Sequence, residues 1–390
     1  MRIAIFDGSF ETTAFIRRLI RGLVDAGHEV YVLGFNEQLQ EDISGVDYVP
    51  LGSSRSKLNF IQTSLSYGIK SGELLSIIKY LLNGNKKQVK QLNLSYVLNS
   101  IQPDVIHLQW VSNIKLFEDF LPDKRYKFVL SQRGYQTNVR PFVDTDNFNY
   151  LQQWLPYFSG FHSVSHAISN KGDQIYHSKD KLDQVVYTGL DLSKFEFKSQ
   201  VIKNKAMQII SVGRPHWKKG YDYAIKACCL LKQKGLDFCY TLIGARGNEE
   251  LLFLINELAL QNQVTLMDKS PQSKVFELMH TSDLFLLPSL EEGIANVAVE
   301  AMALGTPVIS TDCGGMQELI THKKEGWIVP KRDANAMANQ ILEISQMDVN
   351  EICKVKENAR LKVKKQHTEE QMVEGMTKLY NKIINEATLF

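Results

Sequence analysis

Residues 288–315 read PSLEEGIANVAVEAMALGTPVISTDCGG, and they follow a short apolar run at residues 284–287. The apolar run predicts a buried strand, residues 288–293 a loop, and the stretch from about Ile294 to Gly305 a helix. A helix that begins after a glycine presents unpaired backbone N–H groups and a partial positive charge, which suit a phosphate. The stretch therefore predicts a strand–loop–helix unit with an anion site at the start of its helix.

Two glutamates of this stretch indicate a second ligand group. Glu292 lies in the predicted loop, and Glu300 follows eight residues later in the predicted helix. Carboxylates repel phosphate but accept hydrogen bonds from hydroxyl groups, such as those of a ribose or a hexose. The alternative is that both are solvated residues of a helix face. Glu300, however, lies among apolar residues, where a buried carboxylate without a partner would be costly.

A second loop, SVGRPHWKKG at residues 211–220, carries the cations. It follows an apolar strand and precedes a helix, and its Arg214 and Lys219 suit a diphosphate. Lys218 is an alternative to Lys219 on spacing alone, and the loop by itself could equally be a basic surface loop. Its backbone freedom comes from two glycines, Gly213 and Gly220.

Alternating strands and helices extend outward from these two loops over the chain. They predict a first α/β domain at residues 1–197, a lysine-rich linker at 198–205 and a second α/β domain at 206–367. An amphipathic helix at about 368–390 is expected to pack back on the N-terminal domain. The predicted fold class is α/β, with two Rossmann-like, doubly wound domains that face each other across a ligand-binding cleft.

Length, composition and charge agree with a globular protein of two domains. The chain has 390 residues and a formal net charge of +2, which gives no indication of nucleic-acid binding. The apolar run at residues 3–6 is expected to be a strand and not a secretory leader, and the five cysteines form no CxxC pair. We therefore expect a cytoplasmic protein with reduced thiols.

The C-terminal half resembles the retaining GT-B glycosyltransferases of family 4, also called glycosyl transferases group 1. The family's G-R-x4-K-G loop is matched by residues 213–220, and its E-x7-E element by Glu292 and Glu300. Its E-A-M-A-x-G-x-P-V-I segment is matched by residues 300–309, and residues 311–315 look like the continuation.

The resemblance implies transfer of a hexose-type sugar from a UDP- or GDP-sugar to a hydroxyl of a glycan or lipid-linked oligosaccharide. Retention of anomeric configuration, independence of metal ions and other cofactors, and a role in surface polysaccharide biosynthesis are implied as well. Arg214 and Lys219 would bind the donor diphosphate and take part in catalysis, Glu300 would hold the ribose hydroxyls, and Glu292 would contact the transferred sugar. The further donor-binding residues are Gly8, Gly213, Gly293, Ile294, Ala295, Asn296 and Val297.

The N-terminal half resembles the family less closely. Where many members have paired glycines after the first strand, only Gly8 is present, and where many have a histidine before a glycine, Arg133 stands. Arg133 could contact the acceptor or a phosphate. His107 ends a strand that looks like the family's P-D-V-I-H segment. His107 is predicted to contact the substrate in the cleft as a catalytic residue. The equal alternative is a buried core histidine whose hydrogen bonds are all made within the protein. In the C-terminal half, Ile294-Ala295 replaces the frequent Phe-Gly.

Other functions stay open. A non-catalytic nucleotide-sugar binding protein or a GT-B nucleotide-sugar epimerase would keep the same donor residues. Residues 144–146, Asp-Thr-Asp, look like a metal-binding DxD motif, although that motif belongs to a single-domain fold. Residues 51–100 carry seven cations and one anion among apolar residues. They are predicted either to contact an anionic membrane or lipid acceptor, or to be helices with a solvated basic face.

Overall fold

A computed structural model of the chain describes residues 1–35, 38, 39, 41–200 and 205–386. The chain divides into two compact units. The first comprises Met1–Val164, Ile168–Gly189 and Glu369–Phe390, and the second comprises Ser165–Ala167 and Leu190–Thr368. Residues 201–204 of the predicted linker and residues 387–390 of the predicted C-terminal helix lie outside the described residues.

The first unit is built on one parallel sheet. Its strands are β1 (Arg2–Gly8), β2 (Glu29–Gly34), β3 (Val46–Pro50), β4 (Val105–Leu108), β5 (Phe128–Gln132), β6 (Gly160–Ser163) and β7 (Asp183–Val185). They lie in the order β3-β2-β1-β4-β5-β6-β7, and each pairs in parallel with its neighbours. The strand order reverses between β1 and β4. Ligands of doubly wound sheets bind beyond the carboxyl ends of the strands at such a switch point.

The helices of this unit connect its strands. They are α1 (Ala14–Asp25), α2 (Lys57–Ser71), α3 (Leu74–Leu82), α4 (Lys86–Ile101), α5 (Ile114–Phe117), α6 (Gly134–Asn138), α7 (Arg140–Val143), α8 (Thr145–Trp154) and α9 (His166–Ile175). Helices α2, α3 and α4 form one excursion between β3 and β4. Most of the predicted basic segment at 51–100 therefore folds as helices.

The second unit repeats the architecture. Its strands are β8 (Met207–Val212), β9 (Phe238–Ile243), β10 (Val264–Met267), β11 (Leu284–Leu287), β12 (Val308–Thr311) and β13 (Trp327–Val329). They form a parallel sheet in the order β10-β9-β8-β11-β12-β13. The order reverses between β8 and β11, so the two loops that the sequence singled out follow the two strands at the switch point.

The second unit's helices are α10 (Tyr221–Gln233), α11 (Glu249–Glu257), α12 (Gln272–Thr281), α13 (Asn296–Leu304), α14 (Met316–Leu319), α15 (Ala334–Gln346) and α16 (Val349–Gln366). Helix α13 ends at Gly305, whose φ of +81° is left-handed. In the described part of the chain, no helix is both long enough and apolar enough to cross a membrane.

The last helix, α17 (Glu369–Glu386), belongs to the first unit, where it packs against α1, β6 and β7. Two glycines allow the close approach. A Cβ on Gly22 would lie 2.3 Å from Val373, and one on Gly160 would lie 2.6 Å from Ile383. The buried face of α17 includes Met376, Leu379 and Tyr380. The C-terminal helix thus packs on the N-terminal domain, as the sequence predicted.

Candidate active site

The loops after β8 and β11 are held against each other. The Leu290 N–H donates to the Lys218 carbonyl at 2.6 Å. Gly220 has a left-handed φ of +62°, and a Cβ there would lie 2.1 Å from the Pro288 carbonyl oxygen. Gly213 lies under Tyr221, whose hydroxyl would be 2.7 Å from an added Cβ. The glycines predicted to free the backbone are thus required because the loops pass too close for a side chain.

The centre of the site is an ion pair between these loops. Lys219 Nζ lies 2.5 Å from Glu292 Oε1, and Ser289 Oγ donates to the same oxygen at 3.1 Å. Glu292 is only 8% exposed. A buried carboxylate is costly without a partner, and Lys219 supplies both the opposite charge and a hydrogen bond. The sequence predicted both residues for the site but did not predict that they pair.

Two further glycines support the backbone around Glu292. Gly314 has a φ of +50°, and a Cβ there would lie 1.7 Å from the Glu292 carbonyl oxygen. The Gly315 N–H donates to the Gly293 carbonyl at 2.7 Å, and the Thr311 hydroxyl donates to the Ser289 carbonyl. The segment after β12 therefore fixes the loop that carries Glu292. In the sequence analysis, residues 311–315 were noted only as part of the family resemblance.

Helix α13 begins where the sequence predicted a helix start, and the predicted anion site would lie there. The helix begins at Asn296, and its N-cap is Ala295, whose side chain cannot accept a hydrogen bond from the first turn. Because the first backbone N–H groups of a helix have no partner within the helix, those of Asn296 and Val297 are suited to an anionic ligand. Gly293 and Ile294 precede them in the same loop.

Glu300 lies on the second turn of α13, but it is not enclosed. Its carboxylate is half-exposed and accepts a hydrogen bond from Gln272 Nε2 at 3.3 Å. The expectation of a carboxylate buried among apolar residues is wrong. Asn296, Val297 and Glu300 share the less buried face of the helix, whereas Ala298, Val299, Ala301 and Met302 are buried. This placement lets Glu300 meet a ligand at the helix surface.

The other cations of the first loop differ in their surroundings. The Arg214 side chain is exposed. Burial lowers the pKa of Lys218, while the negative charge of Glu292 acts in the opposite direction. Lys218 contributes its backbone carbonyl to the loop contact, whereas Lys219 forms the direct ion pair with Glu292. The geometry thus favours Lys219 over Lys218 as the site residue.

A separate polar cluster lies in the first unit, where β1, β4 and β5 end. The Trp110 indole N–H donates to Asp7, and Asp7 precedes Gly8, whose φ is +100°. Arg133 stacks on the Phe15 ring, with its guanidinium carbon 4.6 Å from the ring centroid. Burial raises the pKa of Asp7 to about 6, against the lowering effects of the Trp110 hydrogen bond and the Arg133 charge. The sequence missed Asp7, although a carboxylate at the end of the first strand was a usable signal.

His107 lies in the core of the first unit, fully buried. The polar groups here form one chain of hydrogen bonds, and its directions follow from the Val186 carbonyl, which can only accept. Tyr380 O–H donates to His107 Nδ1 at 2.8 Å, and His107 Nε2–H donates to Ser131 Oγ at 2.8 Å. Ser131 then donates to His162 Nδ1 at 2.9 Å, and His162 Nε2–H donates to the Val186 carbonyl at 3.0 Å. Both nitrogens of His107 are satisfied within the protein. This favours the core alternative, and we remove His107 from the candidate active site.

We expect His107 and His162, the two histidines of this hydrogen-bond chain, to stay neutral in the folded protein down to pH 5. Burial, the largest cause, lowers the pKa of His162 to about 3 and that of His107 well below 6.5. Nitrogen-15 NMR should show neutral rings with the proton on Nε2, and the exposed histidines provide the internal comparison. A charged ring at pH 5 would contradict the assignment.

The lowered pKa values of His107 and His162 also determine how the free energy of unfolding changes with pH. Below pH 6.5 the unfolded chain takes up protons at these two rings and the folded chain does not. The pair therefore lowers the free energy of unfolding as the pH falls from about 6.5 toward 3. Asp7, with its raised pKa, acts in the opposite direction.

The Asp-Thr-Asp segment has a structural function. Asp144 caps α8 by accepting a hydrogen bond from the Asn147 N–H at 2.9 Å, and it lies 3.7 Å from Arg140. Across the described ranges, no group of three or more His, Cys, Asp and Glu side chains is arranged to hold a metal ion.

Residues 193–362 match the sequence model of the family described as glycosyl transferases group 1. This segment is a domain of that family. The resemblance that the sequence motifs indicated is therefore confirmed for most of the second unit. The domain contains Arg214, Lys219, Glu292 and Glu300, whereas Gly8, His107 and Arg133 lie outside the matched residues.

Two relatives of this chain have names that refer to polysaccharide biosynthesis. The putative colanic acid biosynthesis glycosyltransferase WcaL of Escherichia coli is 37% identical over 182 residues, which cover 45% of each chain. The amylovoran biosynthesis glycosyltransferase AmsK of Erwinia amylovora is 39% identical over 169 residues, which cover 42% of each chain. The match thus spans less than half the length of these relatives.

Solved structures extend the likeness in fold to the whole chain. Sucrose-phosphate synthase from Thermosynechococcus elongatus superposes with a TM-score of 0.76 at 17% identity, over 98% of this chain and 99% of that chain. Anabaena Alr3699/HepE in complex with UDP-glucose gives a TM-score of 0.71 at 16% identity, over 100% of both chains. The predicted GT-B class, with two Rossmann-like domains, is confirmed.

Proposed function

We propose that this protein transfers a hexose-type sugar from a nucleotide-sugar donor to a hydroxyl of a glycan or lipid-linked acceptor, with retention of configuration. The observation that supports it best is the Lys219–Glu292 pair beside the N-terminus of α13. One small region thereby offers a cation and free N–H groups to a diphosphate, and carboxylates to sugar hydroxyls.

Each group has a role in the proposed reaction. Arg214, Lys219 and the first amides of α13 hold the donor diphosphate, Glu300 binds the ribose hydroxyls, and Glu292 binds the transferred sugar. As the bond between the anomeric carbon and the diphosphate oxygen breaks, negative charge grows on the leaving group. These cations and amides then stabilise it more strongly than the ground state, which lowers the barrier. The acceptor hydroxyl attacks the same face of the sugar, and its proton passes to a phosphate oxygen of the leaving group.

We propose that no metal ion or other cofactor takes part. The charge that a divalent cation would neutralise on a diphosphate is met here by Arg214, Lys219 and the α13 N-terminus. Donor turnover in the presence of EDTA tests this point directly.

The biological role that we propose is the assembly of a surface polysaccharide. It is supported by the names of three relatives, which refer to colanic acid, amylovoran and capsular polysaccharide. The enzyme would act in the cytoplasm, with peripheral contact to the inner face of the membrane through residues 51–100. The five cysteines are free thiols, in agreement with a reducing compartment.

A nucleotide-sugar epimerase or hydrolase is the second candidate, and the cluster of the first unit favours it. Such an enzyme needs an acid or base, and Asp7, with a pKa of about 6, titrates in the right range. Product analysis separates the two. A transferase yields a new glycosidic bond on an added acceptor, whereas an epimerase returns an altered nucleotide sugar.

Donor binding tests the assigned site. Titration calorimetry with UDP-, GDP- and ADP-sugars in EDTA should show one preferred nucleotide. Glu300→Ala should raise its dissociation constant by about 10- to 100-fold, because hydrogen bonds from the ribose to a charged group are lost. Glu257→Ala, at an exposed position of the same unit, is the matched control and should leave binding unchanged. Equal affinity of the Glu300→Ala variant and the wild type would remove Glu300 from the site.

A further inference from the structure

Helix α2 is apolar on two sides. Phe60, Ser64 and Gly68 form its buried side. A second stripe, Leu58, Ile61, Leu65 and Ile69, follows the helical spacing i, i+3, i+7 and i+11. Leu58 is 72% exposed and Ile69 is 67% exposed. A helix that needed only to cover the sheet would carry polar residues on this second side.

Helix α3 continues the exposed apolar surface. Leu75, Ile78 and Leu82 lie on one stripe of this nine-residue helix, and Leu75 and Leu82 are 83% and 82% exposed. A Cβ on Gly68 of α2 would lie 2.9 Å from Ile77 and 3.1 Å from Leu74, so the two helices pack closely. We call Leu58, Ile61, Ile69, Leu75, Ile78 and Leu82 the hairpin surface.

Exposed apolar side chains are concentrated in the hairpin surface. Six of the fifteen exposed large apolar side chains in the described part of the chain lie between residues 58 and 82. Such a concentration of exposed apolar side chains indicates an interaction site, because leaving them in water is unfavourable.

Lysines surround these side chains. Lys57, Lys70, Lys79, Lys86 and Lys87 are exposed, and Glu73 is the single acidic residue from 57 to 87. Within the described ranges, none of the five lysines lies within 4.0 Å of a carboxylate. Lys79 lies on the same stripe of α3 as Leu75 and Leu82. Lysine stems can lie along apolar surface while the ammonium groups reach outward to anions.

We propose that the hairpin surface docks on an anionic lipid bilayer, with its leucines among the acyl chains and its lysines at the lipid phosphates. Helices of 15 and 9 residues are too short to span the hydrocarbon core and suit an interfacial position. The one-sided positive charge selects an anionic lipid surface. This proposal rests on the membrane contact proposed above for residues 51–100 and names the side chains that would make it. It holds whether or not the chain transfers sugar.

Vesicle flotation tests the proposal with the full-length chain and no donor present. The wild type should float with vesicles of equal parts phosphatidylcholine and phosphatidylglycerol and stay behind with pure phosphatidylcholine. The combined variant Leu58→Ser, Leu75→Ser, Leu82→Ser should lower the partition coefficient at least about tenfold, because the buried apolar area is lost. Lys79→Gln with Lys86→Gln and Lys87→Gln should weaken binding to the anionic vesicles by a similar factor.

The matched control changes exposed apolar residues of the second unit, Leu252→Ser, Phe253→Ser and Leu361→Ser. It should float like the wild type, and circular dichroism confirms that each variant is folded. Equal flotation of the leucine variant and the wild type, or no preference for anionic vesicles, would overturn the proposal. Self-association in sedimentation velocity that disappears in the leucine variant, without vesicle binding, would assign the surface to a second copy of the chain.

Discussion

The Lys219→Ala variant is expected to lose about 10²- to 10³-fold in kcat/KM for donor turnover, as is typical when one preorganised charge-stabilising group is removed. Lys219 Nζ lies 2.5 Å from Glu292 in the loop next to the α13 N-terminus. The substitution removes a cation that faces the developing charge. It also leaves a buried carboxylate without its ion pair. Steady-state release of nucleoside diphosphate measures the effect.

Two further variants separate catalysis from folding. Lys218→Ala is the matched control, because Lys218 contributes its backbone carbonyl to the loop contact, and its loss of activity should be much smaller. A larger loss for Lys218→Ala than for Lys219→Ala would make Lys218 the diphosphate ligand. In the double variant Lys219→Ala, Glu292→Gln no buried charge is left unpaired. It should therefore regain the free energy of unfolding but not the activity.

Gly314→Ala is expected to lower the free energy of unfolding by about 3 kcal/mol or more and to abolish donor binding. The φ of +50° at Gly314 disfavours alanine, and the added Cβ would lie 1.7 Å from the Glu292 carbonyl oxygen. Because the Glu292 carbonyl belongs to the backbone and a Cβ has no rotational freedom to avoid it, the loop that carries Glu292 must move. Urea unfolding and donor titration measure the two effects.

Gly235→Ala provides the matched comparison within the same unit. Gly235 has a φ of +79°, yet an added Cβ would meet nothing within 4 Å. Only the backbone preference is lost there, so the cost should be about 1 kcal/mol, with donor binding intact. If both variants lowered the free energy of unfolding equally and both kept donor binding, the contact between Gly314 and the Glu292 backbone would not matter for function.

The strands and helices of the second unit were predictable because they carry strong local signals. Helix α10 begins at Tyr221, directly after Gly220, and the central strand β11, LFLL, is a fully buried apolar run. Strand β3 carries no such local signal. Val46–Pro50 lies at the edge of its sheet, its side chains are half-buried or exposed, and it lacks an apolar run.

The site could be predicted in its residue types but not in its contacts. Lys219 and Glu292 are 73 positions apart in sequence, and no local pattern states that they pair. The same is true of Gly314, whose contact with the Glu292 backbone exists only in the folded chain. For His107, strand spacing allowed either interpretation. The partners Tyr380 and Ser131, which decide it, come from other elements.

The measurement that tests the central claim most directly is nucleoside diphosphate release from UDP-, GDP- and ADP-sugars by the full-length protein in EDTA, with Lys219→Ala alongside. We expect slow hydrolysis of one donor in EDTA, faster turnover with a suitable acceptor, and loss of both in the variant. Failure to bind or cleave any donor, or cleavage only when a divalent ion is added, would contradict a metal-independent glycosyltransferase.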